Sequence, residues 1–406
     1  MSIKTKDPLV AKLLIDEAKR QSSTINLIAS ENYTPKEVLE VLGSVFTNKY
    51  AEGYPGKRYY PGNTIVDKLE QLAITRACKL FGAEHANVQA LSGGPANLII
   101  YQALLKPGDT IMSLKLSHGG HLSHGHNVNI SGQSYKIVFY EIDPVTGQLN
   151  MKKIAKLAKD CHPQLIIAGF SAYSRAIDWP AFGKIAKSVK AKLLADISHT
   201  GGLIAGQALP SPFPYADVVM TTTHKSLRGP RGAIILCKHA LANAIDKATF
   251  PGFQGGPHMN NIAGIAVALQ IASGRKFKTY AKNCIKNAKA LSEGLQKFNY
   301  KIISDGTDTH LLVIDLAESG WSGKEAEERL EKVGITVSRS TIPNDMRSPL
   351  NPSGIRLGTL AMTTRGLTPA GAKQIAGVIA ATLNKKSNLT VIKKQVAKFC
   401  LKYPIK

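Results

Sequence analysis

Helical patterns alternate with short apolar segments between Asn63 and Ile271. Segments of this kind, bounded by polar residues and glycines and rich in Val, Ile and Leu, predict buried strands. The predicted strands are His85–Ala90, Thr110–Leu114, Lys136–Tyr140, Leu165–Ala168, Lys192–Ala195, Val218–Met220 and Ala233–Cys237. Strands that alternate with helices are typical of a mostly parallel sheet between helices. The pattern therefore predicts an α/β fold around a seven-stranded sheet.

The pattern changes on both sides of this region, which predicts three parts. Residues 1–62 are predicted to form a helix, capped by Asp7 with Pro8 at its first position, and then an arm rich in Gly and Tyr that packs on a partner. Residues 63–271 are predicted to form the large domain, and residues 272–406 a smaller α+β domain. The predicted elements of the smaller domain are a lysine-rich helix to Phe298, a strand at Leu311–Leu316, a helix at Gly323–Val333 and a strand at Gly334–Ser338.

A lysine lies just after a predicted strand, in the segment Thr221–Arg231. Lys225 is adjacent to His224 and close in sequence to Arg228 and Arg231. Nearby cations and burial both disfavour an ammonium group, so the pKa of Lys225 is expected to fall. A neutral amine is the form that condenses with an aldehyde. The alternative is that Lys225 is a surface lysine in a basic turn.

Two other strand ends provide groups that an aldehyde cofactor would need. Asp196 follows the predicted strand Lys192–Ala195, where its carboxylate could pair with the ring nitrogen of pyridoxal phosphate. The alternative for Asp196 is a helix N-cap. The segment Ser92–Gly94 precedes a helical pattern that opens at Ala96, and its small residues would let backbone N–H groups bind a phosphate.

Four histidines lie close together at His118, His121, His124 and His126. Imidazole is a common zinc ligand, so this cluster raises the possibility of a metal site. The glycines between the histidines and the lack of a fixed helical spacing argue against it. No metal site is predicted.

Eight sequence blocks, spread across nearly the whole chain, carry a further signal: Leu27–Asn32, Asn48–Tyr60, Ser117–Leu122, Phe170–Arg175, Asp196–His199, Thr221–Arg231, Gln254–Pro257 and Gly354–Thr359. In content and in order these blocks resemble the serine hydroxymethyltransferases, a family of fold-type-I enzymes that use pyridoxal phosphate. The resemblance implies reversible transfer of the serine hydroxymethyl group to tetrahydrofolate, giving glycine and 5,10-methylenetetrahydrofolate. It also implies that Lys225 binds the cofactor covalently.

The resemblance implies roles for individual residues. The implied cofactor-binding residues are Ser92, Gly93, Gly94, His121, Ser171, Asp196, His199, Lys225, Tyr50 and Gly256. Among these, His121 would stack on the ring and His199 would bond its hydroxyl. The implied substrate-binding residues are Ser30, Glu52, Tyr60 and Arg356, and the implied catalytic residues are Lys225, Glu52, His224 and Tyr60.

Two of these implied roles have a clear chemical content. The Arg356 guanidinium would clamp the amino-acid carboxylate through two parallel hydrogen bonds, and Glu52 would move a proton between the substrate hydroxyl and folate. Tyr50, Tyr60 and Gly256 would serve the neighbouring subunit's site, so the resemblance implies a homodimer with shared active sites.

The pterin of the reduced folate would contact Leu116, Gly120, Leu122 and Ser340, and the chain departs from the family pattern on this side. Ser338 and Ser340 occupy two positions where asparagine is usual in the family. The other departures are Leu350, Leu360 and Thr364, and Gly94 replaces a serine near the phosphate. These departures leave three alternatives for the carrier: tetrahydrofolate, a modified pterin or, in the extreme, none. The nearest alternative is an aldolase or an α-methylserine transferase on the same scaffold.

The composition adds a large positive charge, because 52 Lys and Arg residues face 28 Asp and Glu residues, a net +24. The segment Gly371–Lys406 alone holds eight lysines and no acidic residue. A basic RNA-binding protein with a vestigial cofactor site is thus a further alternative. The lysines lack interleaved arginines and aromatic residues, however, so they are interpreted as a solvated face and nucleic acid is not an expected partner.

The five cysteines are scattered without a C-x-x-C pair, which fits a reducing compartment. The sequence shows neither an apolar leader at its start nor an apolar run of the length that a bilayer requires. A cytoplasmic protein without a membrane segment is predicted.

Overall fold

The structure is a computed structural model that describes residues 3–405. Its central sheet contains β1 (His85–Asn87), β2 (Thr110–Leu114), β3 (Lys136–Tyr140), β4 (Leu165–Gly169), β5 (Lys192–Asp196), β6 (Val218–Thr222) and β7 (Ala233–Cys237). All seven predicted strands are present, and β2, β3 and β7 have the predicted bounds. β1 is shorter than predicted, and at its end the Asn87 side chain accepts the N–H of Gln89 at 3.0 Å.

The strand order across this sheet is β1-β7-β6-β5-β4-β2-β3. β7 runs antiparallel to both of its neighbours, and the other pairs are parallel. Leu165 and Ile167 of β4 belong to one hydrophobic cluster and Ile166 to another, so both faces of the sheet are covered. Parallel strands end at one common edge, and Asp196 at the end of β5 lies there beside the end of β6.

Helices connect these strands and flank the sheet. In the first part of the chain they are Ile3–Lys6, Pro8–Ser22, Lys36–Leu42, Thr64–Phe81, Gly93–Leu104, Ile130–Ser134, Met151–Cys161, Trp179–Ser188, Gly201–Ala205, Ala242–Lys247, Met259–Ala272 and Arg275–Gln296. The first predicted cap is confirmed, since the Asp7 carboxylate accepts the N–H of Val10 at 3.0 Å and Pro8 begins the second helix.

A second, antiparallel sheet lies in the C-terminal part of the chain. Its strands are β8 (Lys301–Ile302), β9 (Leu311–Asp315), β10 (Ser338–Ser340) and β11 (Gly354–Gly358), in the order β8-β9-β11-β10. The helices of this part are Gly323–Lys332, Leu360–Thr364, Pro369–Leu383 and Leu389–Lys402. The predicted strand Gly334–Ser338 was wrong as a single element, because Ile335–Thr336 pairs with Ile25–Asn26 whereas β10 pairs with β11.

The hydrophobic clusters show how the N-terminal segment is held. Ile25 and Leu27 are buried in a cluster whose other members lie between residues 290 and 403. The N–H of Gly358 donates to the carbonyl of Leu27 at 2.7 Å, so the start of the chain is fixed beside β11. The division into residues 1–62, 63–271 and 272–406 stays a prediction.

Candidate active site

Lys225 follows the carboxyl end of β6 and lines a cavity of about 220 Å³. The other lining residues are Ser92, Gly93, Gly94, Asn97, His121, Phe170, Ser171, Asp196, Ser198, Met220, Thr222, His224 and Arg231. Within residues 3–405 the amine of Lys225 makes no hydrogen bond or ion pair. The half-buried Lys225 therefore offers its amine, without a competing partner, to a ligand of the cavity.

Burial lowers the pKa of Lys225 to about 8, and the charges of Arg356 and Arg231 act in the same direction, against Asp196. About a tenth of such an amine is neutral at pH 7. Arg228 was expected to contribute, but its guanidinium carbon lies 4.4 Å from the centre of the Tyr280 ring, where it stacks. Sequence proximity misled here because the side chain turns towards another element.

The Asp196 carboxylate at the end of β5 is buried, and each of its oxygens has a hydrogen-bond partner. One oxygen lies 2.8 Å from Nε2 of His124 and accepts the Asn97 amide at 3.1 Å, and the other accepts the N–H of Ser198 at 3.0 Å. Burial alone would raise the pKa of Asp196, but the hydrogen bond and charge of His124 hold it well below its usual range. The carboxylate is thus ionised and can face a cationic ring nitrogen. It does not cap a helix, because the next helix begins only at Gly201.

The segment Ser92–Gly94 forms the start of the helix Gly93–Leu104. A Cβ atom on Gly93 would lie 2.7 Å from Cγ2 of Thr222, so this position requires glycine. A Cβ atom on Gly94 would meet nothing within 4 Å. The Ser92 side chain makes no capping hydrogen bond, which leaves the first N–H groups of the helix available to an anion.

His121 and Ser171 lie on loops at the same edge. Nδ1 of His121 is 2.8 Å from the Ser123 hydroxyl, and burial with the charge of His124 lowers the pKa of His121 to about 4. Burial also lowers the pKa of His224 to about 4. Both histidine rings are therefore neutral at physiological pH. The uncharged His121 ring can stack on a planar ligand.

His199 does not line the cavity. Its ring is stacked on that of His310, with centroids 5.6 Å apart and planes inclined by 13°. His310 donates from Nε2 to the carbonyl of Ala29 at 3.1 Å if that nitrogen is protonated. Burial, together with the charge of Lys225, lowers the pKa of His199 well below its usual value. The contact of His199 with a cofactor hydroxyl stays a prediction.

Arg356 lies on β11, and within residues 3–405 it has no carboxylate partner. Its Nη1 donates to the carbonyl of Ser171 at 2.6 Å and its Nε to the hydroxyl of Ser338 at 3.2 Å. Burial lowers the pKa of Arg356 to about 10. A half-buried guanidinium that is held only by neutral acceptors is suited to bind an anionic ligand, since removing a charge from water without compensation is costly. Its anchor, Ser171, is also a wall of the cavity.

A separate group on the surface contains Tyr50, Glu52, Tyr60 and Gly256. The rings of Tyr50 and Tyr60 meet edge to face at 5.4 Å, and a Cβ on Gly256 would lie 3.0 Å from the Tyr50 ring. The charge of Glu52 raises the pKa of Tyr50. Tyr50 is 58% exposed, and none of the four residues lines the Lys225 cavity. Ser30 lies in a half-buried turn after Ala29, also outside the lining.

The chain is similar to known proteins over nearly its whole length. The family model described as "Serine hydroxymethyltransferase" matches residues 3–379. A curated protein named "Serine hydroxymethyltransferase" from Cyanothece sp. (strain PCC 7425 / ATCC 29141) is 51% identical over 403 residues, which cover 98% of this chain and 95% of that protein. The chain belongs to the serine hydroxymethyltransferase family. The resemblance seen in the sequence blocks and the predicted fold class are thereby confirmed.

Members of the serine hydroxymethyltransferase family use pyridoxal phosphate and take tetrahydrofolate as co-substrate. The cavity fits this cofactor, because it combines a free amine at Lys225, an ionised carboxylate at Asp196 and a helix N-terminus at Gly93. Open space at Gly94 leaves the helix start accessible to a phosphate.

Sequence reasoning missed the neighbours that fix the reactive groups. Asn97 and His124 hold Asp196, and the Asn32 amide donates to the carbonyl of Lys225 at 3.0 Å and to the Tyr280 hydroxyl at 2.7 Å. Asn97 lies one turn into the helix that follows the phosphate segment, and this position was a usable signal. The contacts of Asn32 and His124 cross long stretches of sequence and gave none.

The residues predicted to contact the pterin lie near one another. Leu116 and Leu122 begin two short 3₁₀ turns, and between them a Cβ on Gly120 would lie 2.1 Å from the carbonyl oxygen of Leu114. Ser340 ends β10, and the adjacent Thr341 donates to the carbonyl of Ser117 at 3.1 Å. This bond connects the loop that carries Leu116, Gly120 and Leu122 with the end of β10 that carries Ser340.

Two further observations concern the described residues as a whole. Between residues 3 and 405, no group of three or more His, Cys, Asp or Glu side chains is arranged to hold a metal ion. In the same part of the chain, no helix combines the length and the apolar character required to cross a membrane.

Proposed function

We propose that the Lys225 cavity catalyses the reversible transfer of the serine hydroxymethyl group to tetrahydrofolate, giving glycine and 5,10-methylenetetrahydrofolate. The observation that supports this site most directly is that two neighbouring cations lack an anionic partner. The amine of the half-buried Lys225 has no partner, and the guanidinium of the half-buried Arg356 has no carboxylate partner, within residues 3–405. The aldehyde of the cofactor would supply the partner for the Lys225 amine, and the carboxylate of the amino-acid substrate would supply the partner for Arg356.

When bound, pyridoxal phosphate supplies an aldehyde that condenses with amines and a ring that withdraws electrons from the substrate α-carbon. Lys225 contributes a nucleophile whose lowered pKa increases its neutral fraction. Asp196 stays ionised and can hold a proton on a ring nitrogen. Gly93 and Gly94 offer backbone N–H groups to a phosphate at a helix N-terminus.

The remaining residues orient the substrate. We assign the substrate carboxylate to Arg356, which Ser171 and Ser338 hold in place. His121 is assigned a stacking role, and its low pKa keeps a positive charge off the face of the ligand. His224 flanks Lys225 as a neutral group. Glu52 and Tyr60 are assigned to proton transfer and substrate binding across a subunit boundary, together with Tyr50, Gly256 and Ser30.

We further propose a homodimer in which each Tyr50–Tyr60 group completes the partner subunit's site. The group is exposed and does not line its own subunit's cavity. Large apolar side chains of the helix Pro8–Ser22 are also exposed, with Leu9 at 76%, Leu13 at 66% and Ile15 at 65%. A second copy of the chain would remove such surface from water.

Hybrid dimers provide a test of the shared site. A Lys225→Ala chain and a Tyr50→Ala chain, each inactive alone, should regain about a quarter of wild-type activity after mixing, because half of the dimers are hybrids with one intact site. The matched control mixes Lys225→Ala with Asp196→Asn, two changes in one cavity, and should recover nothing. Equal failure of both mixtures, with subunit exchange verified by mass, would contradict the shared site.

The carrier is proposed to be a reduced folate that contacts Leu116, Gly120, Leu122 and Ser340. A serine hydroxyl at position 340 offers less reach than an amide and cannot present a paired donor and acceptor. Ser340→Asn is therefore expected to lower the Michaelis constant for tetrahydrofolate about tenfold, with the constant for serine little changed. Steady-state kinetics with both substrates measures this, and an unchanged or higher folate constant would indicate a site built around serine for a modified pterin.

The reaction itself is tested with serine that carries carbon-13 in its hydroxymethyl group. The proposal expects glycine and labelled methylenetetrahydrofolate in equal amounts, formed at a rate that depends on tetrahydrofolate. Equal rates of serine cleavage with and without the carrier would instead establish an aldolase.

We place the reaction in the cytoplasm, since all five cysteines are free thiols in the structure, as a reducing compartment favours.

A further inference from the structure

Five lysines line one surface cleft that the reaction does not use. The cleft has a volume of about 750 Å³, and its lysines are Lys184, Lys187, Lys190, Lys192 and Lys238. The other lining residues are Pro180, Gly183, Ala186, Ala191, Pro214, Tyr215 and Asp217. We call this site the lysine cleft. It is concave, and Asp217 is the one acidic residue in its lining.

The lysine cleft lies at the edge of the central sheet opposite to the Lys225 cavity. Lys192 begins β5, whose last residue, Asp196, lies in that cavity. Asp217 directly precedes β6, and Lys238 directly follows the antiparallel β7. A strand of five residues spans roughly 13–16 Å. A ligand of the cleft would therefore be separated from the reacting groups by the length of the sheet.

The charges of the lysine cleft are poorly compensated. Lys238 pairs with Asp217 at 2.9 Å, and the second oxygen of Asp217 is occupied by the N–H of Leu193 at 3.0 Å. The other four lysines are exposed and, within residues 3–405, pair with no carboxylate. Like charges in one concavity raise the local positive potential, which concentrates anions there. A single anion with several charges would relieve this repulsion.

The backbone also places one of these lysines at an unfavourable position. Lys190 has a φ of 59°, in the left-handed region after the helix Trp179–Ser188. Glycine or asparagine adopts this conformation at lower cost than lysine does. Lysines near a helix C-terminus also offset the helix dipole. The interaction with the helix dipole operates only within the last turn of a helix. It therefore does not explain why Lys192 and Lys238, which lie at strand ends, are also in the lysine cleft.

One wall of the lysine cleft is aromatic. Tyr215 is 43% exposed, and a Cβ on Gly183 would lie 3.0 Å from the Cβ of Tyr215, so the absence of a side chain at Gly183 admits the tyrosine. An exposed ring beside a row of cations is a surface on which a planar base can stack while its phosphates meet the lysines.

We propose that the lysine cleft binds an oligophosphate anion. The chain of phosphates lies among Lys184, Lys187, Lys190 and Lys192, and the anion is either inorganic or the phosphate tail of a nucleotide. Tyr215 distinguishes these two sources, because only a nucleotide presents a ring to it. The proposal is independent of the reaction at Lys225.

The test measures binding of inorganic tripolyphosphate and of adenosine triphosphate to the cofactor-loaded protein by calorimetry, at low and moderate salt. Lys184→Gln with Lys187→Gln should weaken both anions roughly tenfold, since two exposed charge contacts are lost. The matched control is Lys393→Gln with Lys394→Gln, which removes the same charge from the exposed face of another helix and should change affinity less than twofold. Added salt should weaken binding to the wild-type protein.

Tyr215→Leu identifies the source of the phosphates. Loss of affinity for the nucleotide alone would assign a nucleotide, and unchanged affinity for both anions would assign an inorganic oligophosphate. Equal weakening by the Lys184/Lys187 pair and the Lys393/Lys394 pair would overturn the proposal, as would failure of both anions to bind the wild-type protein at low salt. The thermal midpoint and cofactor content of each variant show that the fold is retained.

Discussion

Replacement of Lys225 with alanine is expected to reduce serine cleavage by on the order of a thousandfold or more. It is also expected to leave the protein unable to hold pyridoxal phosphate covalently. Lys225 is the amine in the cavity, burial lowers its pKa to about 8, and no partner within residues 3–405 competes for it. The measurement is turnover together with the cofactor that stays on the protein after borohydride reduction of the folded enzyme and subsequent denaturation.

The control for this change is Lys247→Ala, which removes an exposed lysine from the end of the helix Ala242–Lys247 and should retain activity. Normal turnover and normal covalent retention in Lys225→Ala would show that another lysine binds the cofactor. Loss of both in the Lys247→Ala protein would show that the effect is general.

Arg356→Lys is expected to raise the Michaelis constant for serine by about 30- to 150-fold, or roughly 2–3 kcal/mol, with cofactor affinity nearly unchanged. A lysine keeps the charge but cannot form two parallel hydrogen bonds to a carboxylate. It would also lose at least one of the bonds that Arg356 makes to Ser171 and Ser338. Serine kinetics and cofactor titration, measured on the same preparation, separate the two effects.

Arg347→Lys is the matched control, because Arg347 is exposed and lies on a loop of the same part of the chain. It should leave the constant for serine unchanged. An equally small effect of both arginine substitutions would show that Arg356 does not bind the substrate carboxylate, and its unsatisfied charge would then need another ligand.

The strands could be predicted because a sheet buried on both faces requires continuous apolar segments. β2, β3 and β7 were predicted with their bounds for this reason, and the apolar segments set the ends of β5 and β6 within two residues. Once those ends were known, the parallel topology placed Asp196 and the segment of Lys225 at one edge. The strand Gly334–Ser338 failed because short strands depend on their partners, here Ile25–Asn26 and β11.

The details of the cavity depend on contacts between distant parts of the chain. Nothing in the sequence places His310 against His199 or Asn32 under the carbonyl of Lys225. The direction of the Arg228 side chain is set by the Tyr280 ring, which lies on a helix that begins more than forty residues later. Such contacts follow from tertiary packing, and local patterns carry no information on them.

The most direct test of the Lys225 assignment is the site of covalent cofactor attachment. The holoenzyme is reduced with borohydride, digested and mapped by mass spectrometry, in a chain that offers many alternative lysines. The structure predicts a pyridoxyl group on the peptide that contains Lys225 and on no other peptide in comparable amount. Attachment to a different lysine, or no attachment to a cofactor-saturated protein, would contradict the account.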